Sequence, residues 1–116
     1  MRLDINDDNE AVSAELRNRA ASRVFWTLCR YGERIGPVRV RLRRSVPVTG
    51  GAESLCGIAV DLRPGGRVLA RARATDMEQA IDCAADRINH AVGERLAPPE
   101  PELTEGTRFE SRARAR

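Results

Sequence analysis

The sequence predicts an α/β chain built as an α+β two-layer sandwich, with a four-stranded sheet and two helices on one of its faces. Three observations predict it. Two stretches, 38–43 and 67–73, alternate apolar residues with arginine, and alternation sends successive side chains to opposite faces of a strand. A third segment, Thr75 to Leu96, carries apolar residues at helical spacing behind a capping signature. The full element order reads β-α-β-β-β-α, and a strand–helix–strand crossover is right-handed and lays its helix on one face. With both helices on that face, the opposite face of the sheet is open.

Each element has its own signal. Leu3 and Ile5 alternate with polar neighbours as a short first strand. Asp8 or Asn9 offers an N-cap to the first helix. Val12, Leu16, Ala20, Val24 and Leu28 recur every four residues as one stripe of that helix, and Gly32 is a C-cap candidate. Arg19, Arg23, Trp26 and Arg30 share another face of it. Pro37 opens the second strand at its edge. Thr49-Gly50-Gly51 breaks the chain into a loop, and Leu55 to Arg63 reads as the third strand, with Cys56, Ile58, Val60 and Leu62 on one side. Residues 63–67 form a hairpin connection to a fourth strand that runs to about Ala74. Thr75-Asp76-Met77-Glu78 is a capping box with Thr75 as N-cap. Met77, Ala80, Ile81, Ala84, Ile88, Ala91 or Val92, and Leu96 form the stripe of the last helix, which Pro98-Pro99 ends. Residues 1–97 therefore read as one domain. Residues 98–116, rich in Pro, Glu and Arg, read as a flexible tail.

Charge is distributed unevenly along the 116 residues. All 20 basic residues are arginine, and the net charge is +3. Residues 1–16 carry −4 and residues 74–97 carry −3. Residues 17–73 hold 13 arginines against three acids, a net +10. On the sheet, Arg39, Arg41, Arg43, Arg67, Arg71 and Arg73 fall on the side opposite the apolar residues. A one-signed arginine face repels itself unless an anion sits on it, and a nucleic-acid backbone is the anion that a planar fork of donors suits.

Other classes have little support. The acidic start lacks the apolar core of a signal peptide, and no apolar run reaches membrane-spanning length. Cys29, Cys56 and Cys83 are odd in number and without C-x-x-C spacing, which fits a reducing cytoplasm rather than a disulfide frame or zinc site. His90 lies one helical turn from Asp86, with no third ligand in view. No nucleophile–base set or phosphate loop is present, so neither an enzyme, a cofactor, a metal site nor a small-molecule substrate is expected. Trp26 could stack on an unpaired base, but with only four aromatic residues in the chain its expected place is the margin of the core.

From about Met1 to Leu96 the chain resembles the ribosome hibernation-promoting factor family, also called the ribosome-associated inhibitor family. Three segments carry the resemblance. One runs from Leu16-Arg17 through Arg30-Tyr31-Gly32-Glu33-Arg34-Ile35 into Val38-Arg39-Val40-Arg41-Leu42. The next is Cys56 to Leu62. The third and most specific is Asp76-Met77, Ala80-Ile81-Asp82 and Ala85-Asp86-Arg87-Ile88, close to the family's D-x-Y-x-A-I-D-x-x-x-D-K/R-L. The order of the last five elements, α-β-β-β-α, is similar to that of a double-stranded-RNA-binding domain, and the family resemblance implies a short-form factor. Such a protein binds rRNA of the small ribosomal subunit, fills the channel of mRNA and tRNA, and takes part in ribosome hibernation under stress.

Arg17, Arg23, Arg30 and Arg87 match positions that are commonly basic in the family. The second helix departs from the pattern at His90, Gly93 and Glu94, where relatives continue with basic residues. That shifts weight to the first helix and the sheet. The expected rRNA-binding set is Arg17, Arg19, Arg23, Arg30, Arg39, Arg41, Arg43, Arg71, Arg73 and Arg87, with a monomer as the favoured state and no membrane partner. Two alternatives stand beside this reading. One is a general RNA-binding module. The other is a diverged protein–protein regulator that uses the acids of the second helix.

Overall fold

The computed structural model describes residues 1–7, 12–45 and 51–96. Four strands, β1 (Arg2–Asp7), β2 (Ile35–Ser45), β3 (Glu53–Leu62) and β4 (Arg67–Ala74), form one sheet in the order β1-β2-β3-β4. β1 and β2 run parallel, joined by the crossover helix α1 (Ala14–Leu28), and the other pairs are antiparallel. Helix α2 (Met77–Leu96) follows β4. Both helices pack on the same face, and the predicted two-layer α+β sandwich is what forms.

The core lies between the layers. Val38, Val40 and Leu42 of β2 and Cys56, Ile58, Val60 and Leu62 of β3 point into it. Ala20, Val24 and Leu28 of α1 and Met77, Ile81, Ile88 and Val92 of α2 meet them. Ala80, Ala84 and Ala85 are also fully buried, and their small side chains let α2 lie close on the sheet. Burial pushes the Cys56 thiol up to about 12, whereas Cys29 and Cys83 are exposed. A disulfide-exchange reagent therefore titrates two thiols in the native chain and the third only after denaturation. Three fast thiols would show that the sheet interior opens readily.

Several element ends differ from the expectation. The N-cap of α1 is Ser13, whose Oγ accepts from the Leu16 amide at 3.2 Å. Asp8 and Asn9 lie outside the described residues. The Asp7 carboxylate instead accepts from the Val12 amide at 3.1 Å, which seats the buried Val12 ahead of the helix. At its other end α1 stops at Leu28, and a 3-10 segment, Cys29–Arg34, leads into β2. Gly32 sits inside that segment at φ 60°, ψ −133°. It is a left-handed corner rather than the helix C-cap, and a side chain there would be strained.

Thr75 is not the cap of α2. Asp76 Oδ1 accepts from the Glu78 amide at 3.1 Å, so the aspartate takes the role that a threonine hydroxyl could also have filled. β2 begins at Ile35, two residues before Pro37, and is an interior strand. Pro37 falls where the β2–β3 register shifts between Ile35 and Val38, so it has no partner in the regular β3 ladder. The loop expected at Thr49-Gly50 and the tail expected over 98–116 lie outside the described residues.

β4 forms one rim of the sheet, and two arginines from α2 guard it. Arg87 donates to the Arg71 carbonyl at 2.6 Å and Arg95 to the Arg67 carbonyl at 3.4 Å. Gly66, at φ 106°, makes room for the second of these, since a Cβ there would lie 2.8 Å from the Arg95 guanidinium.

Candidate nucleic-acid interface

The open face of the sheet is built by strand register. From Pro37 to Arg43 the residues of odd number on β2 face away from the helices, and the antiparallel pairing lines them up with β3 and β4. Arg41 stands opposite Gly57, which stands opposite Arg71. Arg43 stands opposite Leu55, and Leu55 opposite Arg73. Arg39 lies between Asp4 of β1 and Ala59 of β3. The small residues in the middle strand leave a floor beneath the long guanidinium-tipped side chains. A depression of about 430 Å³ over Gly57 is walled by Arg41, Arg43, Arg71 and Arg73, and Arg87 reaches it around the β4 rim. A neighbouring depression of about 550 Å³ extends over Ala59 towards Arg39 and Asn6.

Charge on this face is only partly balanced within the chain. Asp61 takes a 2.7 Å bond from Arg67, and Glu53 lies 3.7 Å from Arg73. The Arg67 hydrogen bond, aided by the charges of Arg67 and Arg39, holds the Asp61 carboxyl below the usual carboxylate range. A carboxyl lowered on folding stabilises the fold above its ordinary pKa, and that contribution is lost as pH falls through the lowered value. Arg39, Arg43 and Arg71 form no salt bridge with any described residue. The face can therefore offer forked donors to several phosphates at once, through charge-assisted bonds.

Six of the ten expected arginines meet here: Arg39, Arg41, Arg43, Arg71, Arg73 and Arg87. The other four, Arg17, Arg19, Arg23 and Arg30, are on the helix layer across the sheet. Three of these are tied to α2. Arg23 bonds Asp86 at 2.9 Å and Asp82 at 3.4 Å, Arg19 lies 3.7 Å from Asp82, and Arg30 donates to Asn89 Oδ1 at 3.4 Å. The acids of α2 thus serve first to clasp α1. Matching i, i+4 spacing of Arg19/Arg23 and Asp82/Asp86 is the signal in the sequence that could have found this clasp. His90 pairs with Glu94 at 3.3 Å rather than with Asp86. Among the described residues, no group of three potential ligands stands together to hold a metal, and no helix is long and apolar enough to cross a membrane.

Trp26 departs from its expected place at the core margin: it is 72% exposed, the most exposed of the large hydrophobic residues described. Val24 and Leu28 fill the core stripe of α1, and Trp26, two residues from each, is turned about 200° away from both.

Comparison with known proteins places this fold. The profile described as Sigma 54 modulation protein / S30EA ribosomal protein matches residues 3–96. Among curated proteins, none matches. Among solved structures, a ribosomal subunit interface protein from Coxiella burnetii is similar at a TM-score of 0.69 and 17% identity, over 84% of this chain and 100% of that one. The N-terminal domain of Protein Y from Thermus thermophilus is similar at a TM-score of 0.62 and 23% identity, over 82% of this chain and 99% of that one. The family match defines a class of ribosome-associated proteins, and the solved structures share its fold. The chain belongs to the Sigma 54 modulation protein / S30EA ribosomal protein family.

Proposed function

We propose that the protein binds rRNA of the small ribosomal subunit through the arginine face of its sheet and blocks the channel used by mRNA and tRNA. The carrying observation is the convergence of six arginines from β2, β4 and α2 on the one face that no helix covers. Phosphates of a folded RNA dock on these forks, and the body of the domain then excludes mRNA and tRNA by its volume. No bond is made or broken. Arg17, Arg19, Arg23 and Arg30, on the helix layer, would meet a second segment of the RNA.

Counterion release sets the signature of such binding. Each neutralised phosphate adds about 0.9 to the salt slope, so six contacts give a slope of about −5. The affinity then falls by on the order of 1,000-fold between 50 and 200 mM salt. The test is sedimentation of tagged protein with ribosomes from starved cells at low and at high salt. Co-migration with the small subunit or whole ribosome that is lost at high salt supports the reading. Absence from ribosomal fractions at both salts overturns it.

A further inference from the structure

Across the molecule from the arginine sheet, the solvent side of the helix layer carries an unused aromatic site. The Trp26 indole is held edge-on by Phe25, with ring centroids 5.5 Å apart and planes at 82°. Its own contribution to the core is small, as 72% of it is exposed. Beside it is a depression of about 250 Å³ walled by Trp26, Thr27, Arg23, Arg30, Asp86 and Asn89. The Oδ1 of Asn89 accepts from the Tyr31 hydroxyl at 2.9 Å and from Arg30 at 3.4 Å. Its amide nitrogen bonds no described residue. Asp86 takes Arg23 at 2.9 Å on Oδ1, which leaves Oδ2 to accept from elsewhere.

We propose that Trp26 and this depression take one unpaired nucleobase, stacked on the indole with its polar edge turned to Asp86 and Asn89. The chemistry matches on three counts. The indole is a flat face, and bases stack on aromatic faces whatever their sequence. Asn89 supplies a donor and Asp86 an acceptor at the rim, the pair needed by the N–H and ring-nitrogen or carbonyl groups of a base edge. Arg23 is shared by Asp82 and Asp86. Arg30, among the described residues, donates only to the neutral Asn89 and is the cation left beside the depression for a phosphate flanking that base. A protein partner would be served by the aromatic rings but not by this arrangement of edge donors and cations. The proposal rests on the RNA reading above for the identity of the polymer, and it adds a contact on the opposite layer.

Trp26 is the only tryptophan in the chain, so its fluorescence reports on this site alone. The full chain is titrated at low salt with an unstructured oligoribonucleotide, with the duplex of the same sequence and with inorganic polyphosphate. Anisotropy of the labelled RNAs is read in parallel. The single strand is expected to quench Trp26, while the duplex and polyphosphate bind without quenching. Trp26→Ala should weaken single-strand binding about 5- to 150-fold and duplex binding hardly at all. Trp26→Phe should recover most of the loss, since a smaller flat ring still stacks.

Single-strand binding without quenching, or equal loss for strand and duplex, overturns the stacking site and leaves the RNA reading standing. No quenching together with loss of ribosome association in Trp26→Ala also overturns it, and marks the indole as a protein contact. Failure of every RNA to bind overturns both readings.

Discussion

Replacing Arg39, Arg41 and Arg43 together by glutamate is expected to lower ribosome association by at least about 1,000-fold while the protein stays folded. Hydrogen bonds to charged groups contribute about 1.5–3 kcal/mol each. Loss of three exceeds about 4 kcal/mol, and each 1.4 kcal/mol is a factor of ten. The new carboxylates also repel the phosphates that the arginines would have met. A direct RNA-binding assay on the triple variant would show a salt slope shallower by about 3, one unit per contact. The fold survives because the three side chains project from the uncovered face, while Val38, Val40 and Leu42 between them stay in the core. The largest structural penalty is at position 39, where a glutamate would face Asp4 across the β1–β2 ladder. Like charges placed opposite each other cost up to about 1 kcal/mol. Co-sedimentation and a thermal melt check both halves. Normal association by a folded triple variant removes the sheet face from the contact.

Ile58→Ala has the largest expected effect on stability, a loss of about 3–5 kcal/mol. The side chain is 1% exposed, on the interior strand β3, between Val40 and Ala70 in register and beneath the helix layer. Its neighbours cannot easily fill the space it would leave. Ala70, its partner on β4, has only a methyl group to move, and β3 is hydrogen-bonded on both sides. A cavity that cannot collapse puts the cost in the upper part of the range for such truncations. Against a total of about 5–15 kcal/mol for a small domain, the urea midpoint should drop by about a fifth or more, with an unchanged slope. A loss under about 1 kcal/mol would mean that α2 settles into the vacated volume.

The parts of this molecule that are legible in its sequence are those whose pattern is dictated by burial. Val38 to Arg43 can only be a strand with one wet face, and the stripe from Met77 to Val92 can only be a helix with one dry one. Their register then brings Arg41, Arg43, Arg71 and Arg73 together without further information. Choices between near-equal local partners are less legible. Thr75 and Asp76 are both competent caps, and the structure uses the aspartate. Ser13 caps α1 where an acidic turn offered earlier candidates. The outer face of α1 is less legible still. Counting apolar residues assigns an indole to the core, but the angular position of Trp26 relative to Val24 and Leu28 sends it to solvent. Likewise, arginines on α1 look free until α2, far along the chain, brings Asp82 and Asp86 beside them.

The arginine bonds on the β4 rim bear on how copies of this chain can join. A sheet with two bare rims can add strands at either end, and repeated head-to-tail addition has no stopping point. Here Arg87 and Arg95 occupy carbonyls that an incoming strand would need. Growth from that side must first break charge-assisted bonds and push two bulky side chains aside. Among the described residues the β1 rim alone is left for augmentation, and two copies that met through it would use up that rim. Such contact ends at a pair. Two side chains on one rim thus restrict, through a single local hydrogen bond each, how far strand addition could run.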